Sequence, residues 1–92
     1  MALPVVLTLI QKPGCHLCND AELVVNEVIA QLHADHAQLQ LTLESRNILE
    51  DSALAQRYAD EIPVLLINGA QHSYWHVKPD RLIPAILKEA AL

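Results

Sequence analysis

Two short apolar runs set the tightest limit on what this 92-residue chain can fold into. Residues 5–10 read VVLTLI and residues 62–67 read IPVLLI, so apolar side chains fall on both sides of each run. A strand that is apolar on both sides needs cover on both faces of its sheet, which is typical of sheets packed between helices. We therefore predict that the two runs form the central strands of an α/β domain.

The segment between these runs begins with a helical pattern and continues with a strand pattern. From Cys15 to about Leu32, apolar residues recur three and four positions apart, which predicts a helix with one apolar side. That side consists of Leu17, Ala21, Val24, Val25, Val28, Ile29 and Leu32. Residues 39–44 then alternate leucine with polar residues, which predicts a half-buried strand at an edge of the sheet.

The next segments predict a short helix and a hairpin. Asp51 or Ser52 can cap a short helix that ends near residue 59. The NG pair at residues 68–69 predicts a tight turn of type I′, because that turn needs a positive φ at both central positions. A return strand over residues 71–77 would complete the hairpin.

The last helix completes the predicted topology. It directs Ile83, Ile86, Leu87 and Ala90 inward. Pro84 either lies in the first turn of this helix or kinks it. The resulting order βαβαββα predicts a four-stranded mixed sheet with helices on both faces, in which a right-handed crossover joins the first two strands. We expect a single domain over residues 1–92.

The charge and hydropathy patterns exclude several functions. The formal net charge of −5 opposes binding to phosphate backbones, so we expect no nucleic-acid partner. No stretch reaches the ~18 apolar residues that span a bilayer, and no basic amphipathic segment suggests a membrane surface. The apolar start has no basic flank and no cleavage site, so we interpret it as a strand and not as a signal peptide. We expect a cytoplasmic protein, and nothing in the sequence requires more than a monomer.

Cys15 and Cys18 carry the main chemical signal because of their place in the chain. They follow a predicted central strand and a Pro-Gly turn, and they open the first helix. A thiol at a helix start faces unpaired backbone N–H groups and the positive end of the helix dipole, which favour the thiolate. We predict that Cys15 is the nucleophile of thiol–disulfide exchange. Cys18, one turn further, would attack the mixed disulfide and release the substrate.

Three segments together resemble the glutaredoxin branch of the thioredoxin superfamily, and more narrowly the small glutaredoxin-like proteins of bacteria. They are KPGCHLC at residues 12–18, EIPV at residues 61–64 and NG at residues 68–69. The resemblance covers nearly the whole chain and implies a thioredoxin/glutaredoxin-like fold. It also implies that the Ile62–Pro63 peptide bond is cis and faces the Cys15 sulfur. The Ile62 backbone would then pair with an extended substrate or with glutathione.

The sequence departs from typical dithiol glutaredoxins at two places. His-Leu stands inside the motif where those proteins have Pro-Tyr, and residues 76–80 lack the Gly-Gly pair and following acidic residue that hold glutathione. We expect protein or low-molecular-weight disulfides as substrates, glutathione or a thioredoxin reductase as electron donor, and no bound cofactor. The predicted substrate-binding residues are Lys12, His16, Leu17, Ile62 and Pro63.

Several of these side chains also have an ordinary structural interpretation. Lys12 is either a solvated loop lysine or a partner of the thiolate. His16 is either an exposed first-turn residue or, when protonated, a further stabiliser of the Cys15 thiolate. Trp75 is interpreted as a partly buried sheet residue, and an aromatic contact near a docking groove is the alternative.

A second function class stays open at this point. A thioredoxin-fold binding module with little turnover could carry a metal or an iron–sulfur cluster at the two cysteines. Histidine pairs at residues 33 and 36 and at residues 72 and 76 add candidate ligands, but they lie in segments predicted far from the cysteines. We interpret them as surface histidines and expect no metal site. Dithiol–disulfide exchange is the leading hypothesis.

Overall fold

The computed structural model describes residues 2–92, and its elements follow the predicted order βαβαββα. The strands are β1 (Val5–Gln11), β2 (Leu41–Asn47), β3 (Val64–Ile67) and β4 (Ala70–Tyr74). The helices are α1 (His16–Asp35), α2 (Ser52–Tyr58) and α3 (Pro79–Glu89), and a 3₁₀ turn covers Ile48–Glu50. Within residues 2–92, no helix is both long and apolar enough to cross a membrane.

The four strands form one mixed sheet in the order β2-β1-β3-β4. β1 lies parallel to β2 and antiparallel to β3, and β4 pairs antiparallel with β3. The two apolar runs therefore occupy the centre of the sheet, and the strand with alternating leucines lies at an edge, as predicted. α1 connects the parallel pair, since parallel neighbours need a long crossover between them.

Successive residues of the central strands point to opposite faces of the sheet, and each face has its own core. The larger core includes residues of α1 and α3, together with Leu7, Leu9 and Leu65 of the strands. The smaller core includes residues of α2 and the 3₁₀ turn, together with Ile10 and Val64. Helices therefore cover both faces, and this double cover explains why both runs are almost continuously apolar.

Asn68 and Gly69 form the hairpin turn between β3 and β4. Their φ angles are 50° and 84°, so both residues have the left-handed backbone that a type I′ turn requires. The side-chain oxygen of Asn68 also accepts a hydrogen bond from the backbone N–H of Val6 at 2.9 Å. The turn is therefore tied to β1 as well as to its own hairpin.

The return strand is shorter than predicted. β4 ends at Tyr74, whereas the hydropathy pattern placed its end at residue 77. Trp75 has a φ of 64°, a left-handed backbone that a bulky L residue rarely adopts, and this conformation turns the chain out of the strand. The backbone N–H of Trp75 donates instead to the carbonyl oxygen of Pro63 at 2.8 Å.

The last helix buries Ile86 and Ala90, as predicted, and it also buries Leu82, which the prediction left out. Leu82 and Ile86 are fully buried, while Ile83 packs only partly against the core. The helix begins at Pro79, where the missing N–H of proline has no helical partner to lose. Pro84 is the sixth residue of α3 and lies inside it, so the first-turn placement that the sequence left open is wrong.

Candidate active site

The cysteine pair lies at the N-terminus of α1, directly beyond the end of β1. Cys15 is the N-cap residue, with an extended backbone at φ −93° and ψ 114°. Its Sγ atom accepts a hydrogen bond from the backbone N–H of Cys18 at 3.2 Å. The two cysteines are joined in a disulfide, with their Cα atoms 5.1 Å apart. The helix start therefore presents a backbone N–H to the first sulfur, which is the arrangement that favours a thiolate after reduction.

The two cysteines differ in their access to solvent. The exposed fraction of Cys18 is 0%, and Cys18 belongs to the smaller core with Ile10 and Val64. Cys15 is only partly buried and packs against that core from its edge. An incoming disulfide or thiol can therefore reach Cys15, while Cys18 can be reached only from inside the protein.

The segment before β3 adjoins the cysteine pair although it is distant in the sequence. Ile62 belongs to the same apolar core as Cys18, and Cys15 packs against that core. The Ile62–Pro63 peptide bond is cis, and the Pro63 side chain is almost completely buried. The fold thus brings together two of the three segments that carry the resemblance to glutaredoxins, residues 12–18 and residues 61–64.

A comparison with protein families identifies the chain from this combination of fold and site. The family model of the glutaredoxin-like domain (DUF836) matches residues 6–87. The chain belongs to this family. The match covers both cysteines and nearly all of the sheet, and it extends into α3.

Individual proteins are also similar to this glutaredoxin-like domain, in sequence or in structure. An uncharacterised protein of Mycobacterium tuberculosis is 27% identical over 74 residues, which cover 80% of this chain and 74% of the relative. Among solved structures, chloroplastic thioredoxin z superposes with a TM-score of 0.68 at 9% identity, over 97% of this chain and 80% of that chain. A mutant thioredoxin from Halobacterium salinarum gives a TM-score of 0.59 at 24% identity, over 96% of this chain and 76% of that chain. These likenesses show a thioredoxin-type fold.

Three of the predicted substrate-binding residues lie at the surface around the cysteines of the glutaredoxin-like domain. Leu17 is 38% exposed, so its predicted place in the buried side of α1 is wrong, and Cys18 is the first-turn residue that faces the core. His16 is exposed, and its Nε2 atom lies 3.8 Å from Oδ2 of Asp20, one turn further along α1. Lys12 is an exposed residue of the loop between β1 and α1. The site is therefore open on this side.

Trp75 lies against the segment that carries Pro63, which fits the alternative that the sequence left open and not the interpretation as a sheet residue. It is 48% exposed, and three hydrogen bonds hold it against residues 60–63. Its backbone N–H donates to the carbonyl oxygens of Pro63 at 2.8 Å and Glu61 at 3.3 Å, and its indole N–H donates to that of Asp60 at 3.1 Å. These hydrogen bonds hold Trp75 as an exposed aromatic residue against the segment that carries Pro63. Its place in an apparent strand gave no signal of this contact, because the contact depends on a single left-handed residue.

The histidine pairs do not join the cysteines. His33 lies in the last turn of α1 and His36 directly after that helix, whereas His72 lies in β4 and His76 follows that strand. In the described part of the chain, residues 2–92, no group of three or more His, Cys, Asp or Glu side chains is arranged to hold a metal ion.

Proposed function

We propose that this glutaredoxin-like domain is a thiol–disulfide oxidoreductase in which Cys15 is the nucleophile and Cys18 the resolving cysteine. The observation that carries the proposal is the contrast between the two sulfurs. One caps a helix at the protein surface and the other is fully buried one turn behind it. Exchange on a substrate needs this combination, because the first sulfur must be reachable and the second must be held for an internal attack.

The position of Cys15 supports its role as the attacking thiolate. The N–H of Cys18 points at Cys15 Sγ, and the N-terminus of α1 carries the positive end of the helix dipole. Both stabilise the anion over the neutral thiol, so we expect the pKa of the reduced Cys15 thiol to lie below the ordinary value of about 8.5. Each unit of that difference represents about 1.4 kcal/mol in favour of the thiolate.

The reaction balances with two electrons and a substrate disulfide. The reduced Cys15 thiolate attacks one sulfur of the substrate, forms a mixed disulfide and expels the other substrate sulfur as a thiolate. Cys18 then loses its proton and attacks Cys15 Sγ, which forms the Cys15–Cys18 disulfide and expels the second substrate thiolate. Two electrons have passed to the substrate, and a thiol donor such as glutathione or a thioredoxin reductase returns the domain to the dithiol form.

The backbone beside Pro63 is the proposed docking edge for an extended substrate. Among residues 2–92, the N–H and C=O groups of Ile62 make no backbone hydrogen bond. The carbonyl of Pro63, by contrast, is occupied by the N–H of Trp75. A short added strand would use the free groups of Ile62, which is a common way of holding a peptide next to a reactive group.

Two measurements on the reduced protein test the exchange reaction. The rate of Cys15 alkylation by iodoacetamide between about pH 4 and 10 reports its thiolate fraction, and we expect a midpoint below about 8.5. Coupled assays with glutathione and glutathione reductase, and separately with thioredoxin reductase, then identify the electron donor. An ordinary alkylation midpoint together with no reduction of hydroxyethyl disulfide or insulin would count against exchange. Stoichiometric metal with shielded thiols would instead support the binding-module alternative.

Replacement of Trp75 tests the proposed docking edge. In Trp75→Ala we expect KM for a disulfide-bonded peptide to rise by about 10-fold, because a rigid aromatic contact is lost beside the docking backbone. The kcat value for hydroxyethyl disulfide should change little, since that molecule is too small to reach along the edge. Trp75→Phe keeps an aromatic ring but loses the indole hydrogen bond to Asp60. Its KM for the disulfide-bonded peptide should therefore lie between the values of the wild type and of Trp75→Ala.

The matched control for this variant is Leu23→Ala, which removes an exposed apolar side chain from α1. Its kinetic constants for both substrates should equal those of the wild type. If Trp75→Ala lost activity equally toward the peptide and the small disulfide, the tryptophan would be supporting the fold of the site and the docking edge would be wrong.

A further inference from the structure

A cleft between β4 and the start of α3 concentrates basic side chains. Its volume is about 570 Å³, which lies within the range of roughly 300–1,000 Å³ typical of small-molecule sites. His72 and Tyr74 line it from β4, His76 from the following loop, and Lys78 and Arg81 from the beginning of α3. The cysteines do not line this cleft.

The charge of this cleft is opposite to that of the whole chain. The chain has 11 acidic residues against six lysines and arginines, for a net charge of −5. The lining of the cleft nevertheless includes two of those six cations and two of the five histidines, and it includes no acidic residue. Asp80 lies in the same helical turn but not in the lining.

Lys78 and Arg81 lie at a position in the fold where a positive charge is electrostatically unfavourable. Lys78 is the N-cap of α3 and Arg81 lies in its first turn, at the positive end of the helix dipole, where cations are unfavourable. Within residues 2–92, neither of these two cations forms an ion pair. Burial, and then the charge of Arg81, hold the pKa of His72 below its ordinary value. A bound anion would stabilise the charges of Lys78 and Arg81 and would favour the protonated form of His72.

We propose that this cleft binds a small polyanion, a compound with two or more phosphate or carboxylate groups. The guanidinium of Arg81 can hold one such group through two parallel N–H donors, and Lys78 supplies a second positive charge. The Tyr74 hydroxyl adds a neutral donor on the β4 side. Anion binding at this cleft requires no chemistry at Cys15, so the proposal can be tested independently of the exchange reaction.

Binding is coupled to the protonation of His72. Four titratable or charged residues line the proposed cleft together with His72, namely Tyr74, His76, Lys78 and Arg81. His72 also lines a second, neighbouring cleft, where Lys88 and Glu89 of α3 face it. The free protein disfavours protonated His72, and a bound anion favours it. His72 therefore takes up a proton when the polyanion binds, and the affinity for the polyanion rises as the pH falls through the pKa of His72.

The test is a titration of the ¹⁵N-labelled full chain with pyrophosphate and with citrate, at constant ionic strength. Amide shifts confined to residues 71–81 are the expected result, with tighter binding at about pH 6 than at about pH 8. Tighter binding of pyrophosphate would assign a phosphate ligand, and tighter binding of citrate a carboxylate ligand. In the double variant Lys78→Gln/Arg81→Gln, the dissociation constant should rise at least ~10-fold, because two charge-assisted contacts are lost.

Arg46→Gln is the matched control, since it removes one positive charge from β2 at the opposite edge of the sheet. Its affinity for both probes should stay within about twofold of the wild type, because an exposed distant charge is largely screened. The proposal is overturned if neither anion shifts residues 71–81 at ~10 mM, well above a millimolar dissociation constant. It is also overturned if the double variant binds as tightly as the wild type.

Discussion

Replacement of Cys15 by serine should lower the rate of disulfide reduction by at least ~10³-fold, since residues that act as a unit in covalent chemistry contribute effects of this size. Serine keeps the helix cap, because its hydroxyl can accept the N–H of Cys18 as the sulfur does. The fold is therefore preserved while the nucleophile is lost. The measurement is the initial rate of insulin or hydroxyethyl disulfide reduction with an excess of the electron donor.

Cys18→Ser should behave differently, because it removes the second attack and leaves the first. This variant should accumulate a mixed disulfide on Cys15, visible by mass spectrometry as the mass of the protein plus one substrate half. Leu23→Ser, an exposed position on the same helix, is the control for introducing serine and should retain full activity. An adduct found on Cys18 in Cys15→Ser, with undiminished turnover, would reverse the assignment of the two sulfurs.

Leu65→Ala should lower the free energy of unfolding by about 2–5 kcal/mol, a large share of the roughly 5–15 kcal/mol that holds a small domain folded. Leu65 is 0% exposed in β3, where it pairs with Leu9 of β1 and belongs to the larger core. Its truncation leaves a cavity that close-packed neighbours fill only in part. Urea unfolding followed by circular dichroism, with the disulfide intact in all samples, measures the change as a lower midpoint at unchanged slope.

Leu23→Ala is the counterpart on the surface, with the same change of side chain at a position that is 63% exposed. Its unfolding free energy should stay within about 0.5 kcal/mol of the wild type. Equal losses in the two variants would mean that truncating Leu65 costs no more than truncating an exposed leucine, and the assignment of Leu65 to the central core would be wrong.

The elements that the sequence predicts well are those whose signal is local. The two apolar runs, the NG turn and the helix start at Cys15 each depend on a few neighbouring residues, and the structure agrees at all of them. Periodicity of two along a strand is also enough to place Leu7 and Ile10 on opposite faces. The adjacency of Ile62 to the cysteines was available only through the family resemblance, since no local pattern links such distant segments.

The features that escaped the sequence depend on small rotations or on distant hydrogen bonds. A shift of one residue in the inward face of α3 exchanges Ile83 for Leu82, and both choices give an acceptable apolar side. Leu17 and Cys18 compete in the same way for the core at the start of α1. Trp75 leaves β4 because one residue adopts a left-handed backbone, and its partner carbonyls lie in the loop before β3. The hydropathy pattern contains no information on the left-handed backbone of Trp75 or on its distant hydrogen-bond partners.

The fixed position of Trp75 has a practical consequence, because the chain contains one tryptophan. All indole emission from this protein therefore arises from a single site, held by hydrogen bonds against the loop that carries Pro63. The intrinsic fluorescence of the native chain therefore reports on the surroundings of the segment that carries Pro63. Changes at that segment can be followed by spectroscopy without attaching a dye.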